Sequence, residues 1–238
     1  MKVPIIRGFM QRIWDESMSL NKANILSLLQ VSESAKLLDL GCNDGNWTIQ
    51  LGKKIGTRSL FGVDVSEKSL KEAQRRGVKA KKGDLNKIFP FPDNFFDCVH
   101  ANQVIEHLWD LDNFVKEINR VLRVGGYCIV STENLASWSN ICSLLLGWQP
   151  FSLANISVVS GGGLGNRFAL SRGRPIESKS WMHTRVLAIR ALEELFAKHG
   201  FAPEDTMGAG YFPLPAFLGR LEPTHSQFIT IKARKIFR

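Results

Sequence analysis

KLLDLGCNDG, residues 36–45, is the stretch from which the fold is read. A short apolar run, Leu37-Leu38-Asp39-Leu40, gives way to a glycine turn from Gly41 to Gly45. An amphipathic segment with Trp47, Ile49 and Leu51 follows. This pattern predicts a strand, a tight turn and the start of a helix. Glycines let the backbone pass close to a ligand, and the helix behind them offers N–H groups with no partner inside the helix. Asp39, at the strand's exit, adds a fixed negative charge. A carboxylate beside an open glycine loop suits a ligand that carries both a cation and hydrogen-bonding groups. The dinucleotide fingerprint G-x-G-x-x-G fits poorly, because Cys42-Asn43-Asp44 separates the two glycines. An ordinary strand-to-helix turn is the alternative.

Outward from this stretch, strands and helices alternate. Upstream, Ile13, Trp14 and Met18, then Ile25, Leu26, Leu28 and Leu29, predict two helices within residues 9–30, with Asn21 capping the second. Downstream, residues 59–65 (SLFGVDV) form a second strand ending in Asp64, and Ser66 caps a helix that runs to Gly77. Residues 78–82 are a weak third strand and residues 97–101 a fourth. Leu111, Phe114, Val115, Ile118, Val121 and Leu122 make one helical stripe, capped by Asp110 or Asp112 and ended by Gly125-Gly126. A fifth strand covers 127–132 and a short apolar helix 135–146. A further helix is capped by Thr184, carries Ile189, Leu192, Leu195 and Phe196, and stops at Gly200. Residues 201–207 and 227–233 are the last two strands.

This alternation implies a mostly parallel sheet with helices on both faces, and ligands at the carboxyl ends of the strands. Asp39, Gly41, Asp64, Asp84 and Asn102 all follow strands. Asp64, about twenty residues past the glycine loop, is spaced to accept hydrogen bonds from both hydroxyls of a ribose.

The 238 residues suit one domain spanning 1–238: helices over 1–34, a ligand-binding core over 36–132, a lid or substrate-binding insertion over 135–183, and a closing helix and strands over 184–238. The four cysteines, Cys42, Cys98, Cys128 and Cys142, include no C-x-x-C pair and no zinc pattern, so reduced thiols and no metal are expected. The segment MKVPIIRGFMQRIW is interrupted by Pro4, Arg7 and Arg12 and lacks the apolar core of a signal peptide. A cytoplasmic protein without a membrane span is expected. The net charge of +9 concentrates at KEAQRRGVKAKK, residues 71–82, and KARKIFR, residues 232–238. Such segments attract acidic partners or simply form solvated surface. No nucleic-acid-binding motif accompanies them, which disfavours nucleic acid and leaves peripheral membrane contact open. The oligomeric state is not legible.

Residues 91–126, FPDNFFDCVHANQVIEHLWDLDNFVKEINRVLRVGG, carry the most specific pattern. It consists of Pro-x-x-aromatic-aromatic-Asp, a strand, a Glu-His pair, an amphipathic helix and an Arg-Val-Leu-Arg-x-Gly-Gly turn. Together with the acidic residue and glycine turn of residues 39–45, it resembles the class I S-adenosylmethionine-dependent methyltransferases, in the small-molecule branch bearing the Glu-His motif. The departure is Asn43, where that family usually has its middle glycine. Asn tolerates left-handed backbone angles better than other non-glycine residues, so the turn survives.

The resemblance covers residues 36–132. It implies a three-layer Rossmann-like sandwich with a seven-stranded, mostly parallel sheet whose last strand is antiparallel. It also implies S-adenosyl-L-methionine as cofactor, with S-adenosyl-L-homocysteine as product. The cofactor-binding residues it implies are Asp39, Gly41, Cys42, Asn43, Gly45, Asp64, Val65, Asp84, Leu85 and Asn102. Asp84 and Leu85 fall where the family meets the adenine, and Asn102 where it meets the methionine portion.

Methyl transfer from a sulfonium needs alignment and desolvation more than proton chemistry. A hydroxyl acceptor benefits from a general base, for which His107, His183 and Glu106 are the candidates and Tyr211 a weaker one. His100, inside a strand, reads as structural. No Asn-Pro-Pro-Tyr element is present, which counts against adenine methylation in DNA. Residues 131–150 resemble methyltransferases of surface polysaccharides and isoprenoid quinones, implying an oxygen acceptor on a sugar, lipid-linked or quinone-like molecule. Phe151, Leu153, Phe212, Leu214, Phe217 and Leu218 line such a pocket or fill a core. A non-catalytic cofactor-binding partner protein and a nicotinamide-dependent oxidoreductase are the competing readings.

Overall fold

The decisive stretch forms β1 (Lys36–Leu40), a turn, and α2 (Asn46–Ile55) in the computed structural model, which describes residues 3–236. Met1 and Lys2 of the N-terminal segment, and Phe237 and Arg238 of the basic tail, lie outside the described residues. The other strands are β2 (Ser59–Asp64), β3 (Lys79–Lys82), β4 (Phe96–Asn102), β5 (Leu122–Glu133), β6 (Phe201–Ala209) and β7 (Phe228–Lys235). They form one seven-stranded sheet in the order β3-β2-β1-β4-β5-β7-β6. Six strands run parallel and β7, the last, is antiparallel. The order reverses between β1 and β4, the switch point where open α/β sheets bind ligands.

The chain divides into two compact units: residues 25–131, 193–206 and 231–238 in one, and residues 1–24, 132–192 and 207–230 in the other. The first, the glycine-loop unit, holds β1 to β4, α3 (Glu67–Arg75) and α4 (Leu111–Val121). Ser66 caps α3, accepting from the Ser69 N–H, and Asp110 rather than Asp112 caps α4, accepting from the Asn113 N–H at 3.0 Å. The buried face of α4 is Phe114, Val115, Ile118 and Val121. Phe61 meets Phe91, Phe95 and Phe96 edge to face, with centroids 5.3–6.0 Å apart, a geometry that suits ring quadrupoles. The buried Lys235 ammonium donates to Asn94 Oδ1, the Asn119 carbonyl and the Leu122 carbonyl at 3.0, 2.6 and 2.7 Å.

The predicted end of α4 is corrected. The helix stops at Val121 and β5 begins at once, so Gly125-Gly126 lies inside the strand. Phe96 pairs with Leu122 but Cys98 with Tyr127, so residues 123–126 bulge from the ladder. Gly125 has φ 78°, and a Cβ on Gly126 would stand 2.9 Å from the Arg123 carbonyl oxygen and 3.0 Å from that of Asp97.

The second unit contains α5 (Trp138–Leu145) and α7 (Leu218–Leu221). Two expectations fail around it. The N-terminal segment is a single helix, α1 (Val3–Leu28), and Asn21 does not cap a second one. Asn21 is buried within α1, and its Oδ1 accepts a 2.9 Å hydrogen bond from Thr230 Oγ1. The other is the helix predicted from Thr184, which begins five residues later as α6 (Ile189–Lys198). Between α5 and α6, residues 147–188 contain only two short 3-10 turns, Phe151–Leu153 and Lys179–Trp181. None of the described helices is long and apolar enough to cross a membrane.

Candidate functional site

The glycine turn is held open by backbone angles that only its own residue types adopt at low cost. Gly41, Asn43 and Gly45 have φ of 74°, 46° and 77°. A Cβ on Gly41 would lie 2.6 Å from Val104 Cγ2, and one on Gly45 would lie 3.0 Å from the Ala73 Cα and Cβ. The first glycine therefore lets the loop pass the segment after β4, and the second lets α2 start against α3. The Gly41 and Cys42 N–H groups both donate to the Val63 carbonyl, at 2.8 and 3.1 Å.

Asp64, at the end of β2, braces the loop. Its Oδ2 accepts from the Asn43 N–H at 2.9 Å and its Oδ1 from the Ser66 N–H at 2.8 Å. Each carboxylate oxygen keeps further acceptor capacity, and the side chain is half-buried. Val65 beside it is exposed. After β3, exposed Asp84 forms a local turn: its Oδ1 accepts from the N–H and the side-chain amide of Asn86, both at 3.0 Å. Asn86 Oδ1 in turn accepts from the Trp109 N–H at 2.9 Å. Leu85 is buried.

Asp39 sits differently from a carboxylate on an open loop. It is 2% exposed, and both of its oxygens are engaged by protein donors. Thr48 Oγ1 donates to Oδ2 at 2.5 Å, and His100 Nδ1 lies 2.7 Å from Oδ1. Trp47 Nε1 is 3.4 Å from His100 Nε2 and can only donate, so Nε2 accepts and Nδ1 carries the proton to Asp39. Asp39 thus fastens the start of α2 and the middle of β4 to the end of β1. The buried Cys42 thiol is pushed well up, by desolvation first and by the Asp39 charge second, and is not a nucleophile at neutral pH.

Asn102 closes β4, followed by Gln103 at φ 55°. The chain then makes the 3-10 turn Ile105–His107, where Glu106 is buried and His107 half-buried. All ten predicted cofactor residues, with Glu106 and His107, thus belong to the glycine-loop unit.

His183 belongs to the second unit. Its Nδ1 is 2.6 Å from the Ser152 carbonyl and 3.4 Å from Glu133 Oε2, and its N–H donates to the Asn155 carbonyl at 2.9 Å. A carbonyl accepts only, so Nδ1 carries a proton. Glu133 ends β5 and lines a cavity of about 20 Å³ with Trp14, Asn140, Phe151, Ser152 and Gln227. Glu133 and Ser152 were not singled out from the sequence; an acidic residue ending the fifth strand was the available signal. Of the six apolar residues considered for a pocket, Phe151 lines this cavity, and Leu214 and Phe217 are exposed. Tyr211 donates to Glu222 at 2.8 Å. Among the described residues no group of three metal-ligating side chains gathers.

Comparison with known proteins gives this geometry a family context. Residues 38–130 match the model of the methyltransferase-domain family. A Mycolicibacterium smegmatis protein named as a probable S-adenosylmethionine-dependent methyltransferase is 32% identical over 174 residues, covering 72% of this chain and 54% of that protein. The demethylmenaquinone methyltransferase of Staphylococcus aureus is 35% identical over 114 residues, covering 45% of this chain and 47% of the relative. The chain spans about half the length of these relatives.

The fold is shared with an S-adenosylmethionine-dependent methyltransferase of Mesorhizobium loti (TM-score 0.60, 19% identity, 89% of this chain and 96% of that one). It is also shared with the geranyl diphosphate C-methyltransferase of Streptomyces coelicolor (TM-score 0.57, 16% identity, 92% and 80%). The core of the chain is a class I S-adenosylmethionine-dependent methyltransferase domain.

Proposed function

We propose that this chain transfers a methyl group from S-adenosylmethionine to an oxygen of a small sugar, lipid-linked or quinone-like acceptor. The observation that carries the donor half is the closure of the Gly41–Gly45 loop onto Asp64 through the Asn43 N–H. Asn43 in the left-handed region does the work of the family's middle glycine. The loop keeps the glycine-permitted path along which a nucleoside approaches backbone, and a Cβ on Gly41 would disturb it. Asp64 retains acceptor capacity for the two ribose hydroxyls.

In this reading Val65 and Leu85 flank the adenine and Asp84 accepts from its amino group. Asn102 and the Gly41–Asn43 backbone hold the methionine portion. Asp39 contributes its charge and its hold on Thr48. When bound, the sulfonium supplies a methyl group already activated for in-line displacement. The protein's tasks are to align the acceptor oxygen, exclude water and accept the hydroxyl proton. His107 and Glu106 are candidates for the last task, and His183, with its tautomer set by the Ser152 carbonyl, is another. The oxygen as acceptor atom is supported by these histidines alone; the Staphylococcus aureus relative, named for demethylmenaquinone, supports a quinone-like acceptor molecule but not an oxygen on it.

Calorimetric titration with S-adenosylmethionine, S-adenosylhomocysteine and NADH, run in parallel, tests the donor half. Binding of the first two and not the third is expected; the reverse would overturn the reading. Asp64→Ala is expected to weaken both adenosyl ligands severely in a protein that stays folded. For the acceptor half, transfer of labelled methyl to a panel of hydroxylated sugars, lipid-linked sugars and quinols is the assay. His107→Ala or His183→Ala should lower turnover more than cofactor affinity. Full activity in both variants would remove the histidines as bases.

A further inference from the structure

We infer that the second unit carries a docking surface for an anionic lipid bilayer. The surface is built from four segments joined by backbone hydrogen bonds within that unit. After the C-terminal end of α5, the Gln149 N–H donates to the Gly165 carbonyl at 3.2 Å, next to Leu164. The Gly161 N–H donates to the Val158 carbonyl, and the Gly162 N–H to the Arg174 carbonyl at 2.9 Å. The Arg172 guanidinium donates to the Gly163 carbonyl at 3.1 Å. The His183 N–H donates to the Asn155 carbonyl at 2.9 Å, which ties in the turn Lys179–Trp181.

This ledge turns large apolar side chains outward. Leu145 is 82% exposed, Val159 99%, Leu146 61% and Trp181 55%. Single exposed apolar residues are ordinary, but runs of them, here Leu144-Leu145-Leu146 and Val158-Val159, mark an interaction site. The charge on the same segments identifies the partner. Between Leu144 and Met182 the chain has four basic residues, Arg167, Arg172, Arg174 and Lys179, and one acidic residue, Glu177. All four basic side chains are exposed. Apolar tips among basic side chains match a bilayer interface, where the tips enter the acyl boundary and the cations meet lipid phosphates. The aromatic Trp181 suits the same boundary. A protein partner or a second copy would need acidic complementarity to this ledge, which the ledge itself cannot give.

The test is co-sedimentation of the full chain with phosphatidylcholine vesicles containing phosphatidylglycerol, against phosphatidylcholine alone, and needs no methyl acceptor. Its outcome is therefore separate from that of the methyl-transfer reading. Wild type is expected to sediment with the anionic vesicles only, and less as salt rises. Arg174→Glu with Lys179→Glu should weaken binding at least about tenfold, and Leu145→Glu with Val159→Glu should weaken it similarly. The side chains are solvent-facing, so circular dichroism should match wild type. Wild type left in the supernatant with anionic vesicles would overturn the proposal, as would undiminished binding by either double variant. A concentration-dependent dimer that Leu145→Glu with Val159→Glu dissolves would assign the face to a second copy and also overturn it.

Discussion

The Asp39 carboxylate and the His100 imidazole, 61 residues apart in sequence, meet at 2.7 Å with both side chains almost wholly buried. Thr48 holds the other carboxylate oxygen. Removing one partner leaves the others buried without their bonds. Asp39→Ala is therefore expected to cost about 3 kcal/mol of unfolding free energy, read from urea denaturation. A loss below roughly 1 kcal/mol would contradict the role given to this carboxylate.

The loop geometry makes opposite forecasts for two changes at one position. Asn43→Gly keeps access to φ 46° and should alter stability by less than about 1 kcal/mol, with adenosyl-ligand affinity retained. Asn43→Val forces a β-branched residue into the left-handed region and should cost on the order of 1–3 kcal/mol. Thermal melts with and without S-adenosylhomocysteine separate the two. Equal behaviour of the variants would refute the strain argument.

Thiol chemistry is expected to single out one cysteine. Cys42, Cys98 and Cys128 are buried and Cys142 is exposed. Burial pushes the Cys98 thiol up to about 12, and raises those of Cys42 and Cys128 as well. Native protein treated with a maleimide should gain one label, at Cys142, and all four only after denaturation. Mass spectrometry of the digested adducts reads the outcome.

Acid stability should depend on Glu204. Its carboxyl is held below the usual carboxylate range, first by its hydrogen bond from Arg234 and then by the charges of Arg234 and Lys232. A depressed carboxylate contributes stability that is present above its unfolded pKa and lost as pH falls through the folded one. Glu204→Gln should melt below wild type at neutral pH, by a gap that is flat down to about pH 5 and closes on further acidification. A gap that widens in acid would show the wrong sign.

Where the fold was legible, local chemistry and tertiary need agreed. The alternation of strands and helices, the Ser66 cap and the α4 stripe each rest on neighbours in sequence, and each appears in the structure. The failures share a different cause. Asn21 looks like a cap because it is polar between two apolar runs. Its partner is Thr230, 209 residues away, which satisfies it inside an unbroken helix. Gly125-Gly126 looks like a helix stop, but the glycines serve a bulge whose constraint is the Asp97 carbonyl across the ladder. Thr184 has the right chemistry for a cap, but the chain stays irregular for four more residues before α6 begins. In the candidate site the glycine loop and Asp64 could be read from spacing. The burial of Asp39 by His100 and Thr48 could not, since nothing local marks which strand histidine will reach which carboxylate. The pairing of His183 with the Ser152 carbonyl was hidden in the same way.

The interleaving of the two units bears on how the chain is made. Each is assembled from three separate stretches, and the stretches alternate along the sequence. No single cut releases either unit whole. A chain emerging from the ribosome cannot complete α1's bond from Thr230 to Asn21 until a further 209 residues have followed Asn21. Contacts of such long sequence separation close slowly. Until then the apolar face of α1, Ile13 and Met10 included, has to wait in water. Synonymous changes that slow elongation between the codons of Asn21 and Thr230 prolong that exposure, and should therefore lower the yield of folded protein more than equal changes after Thr230.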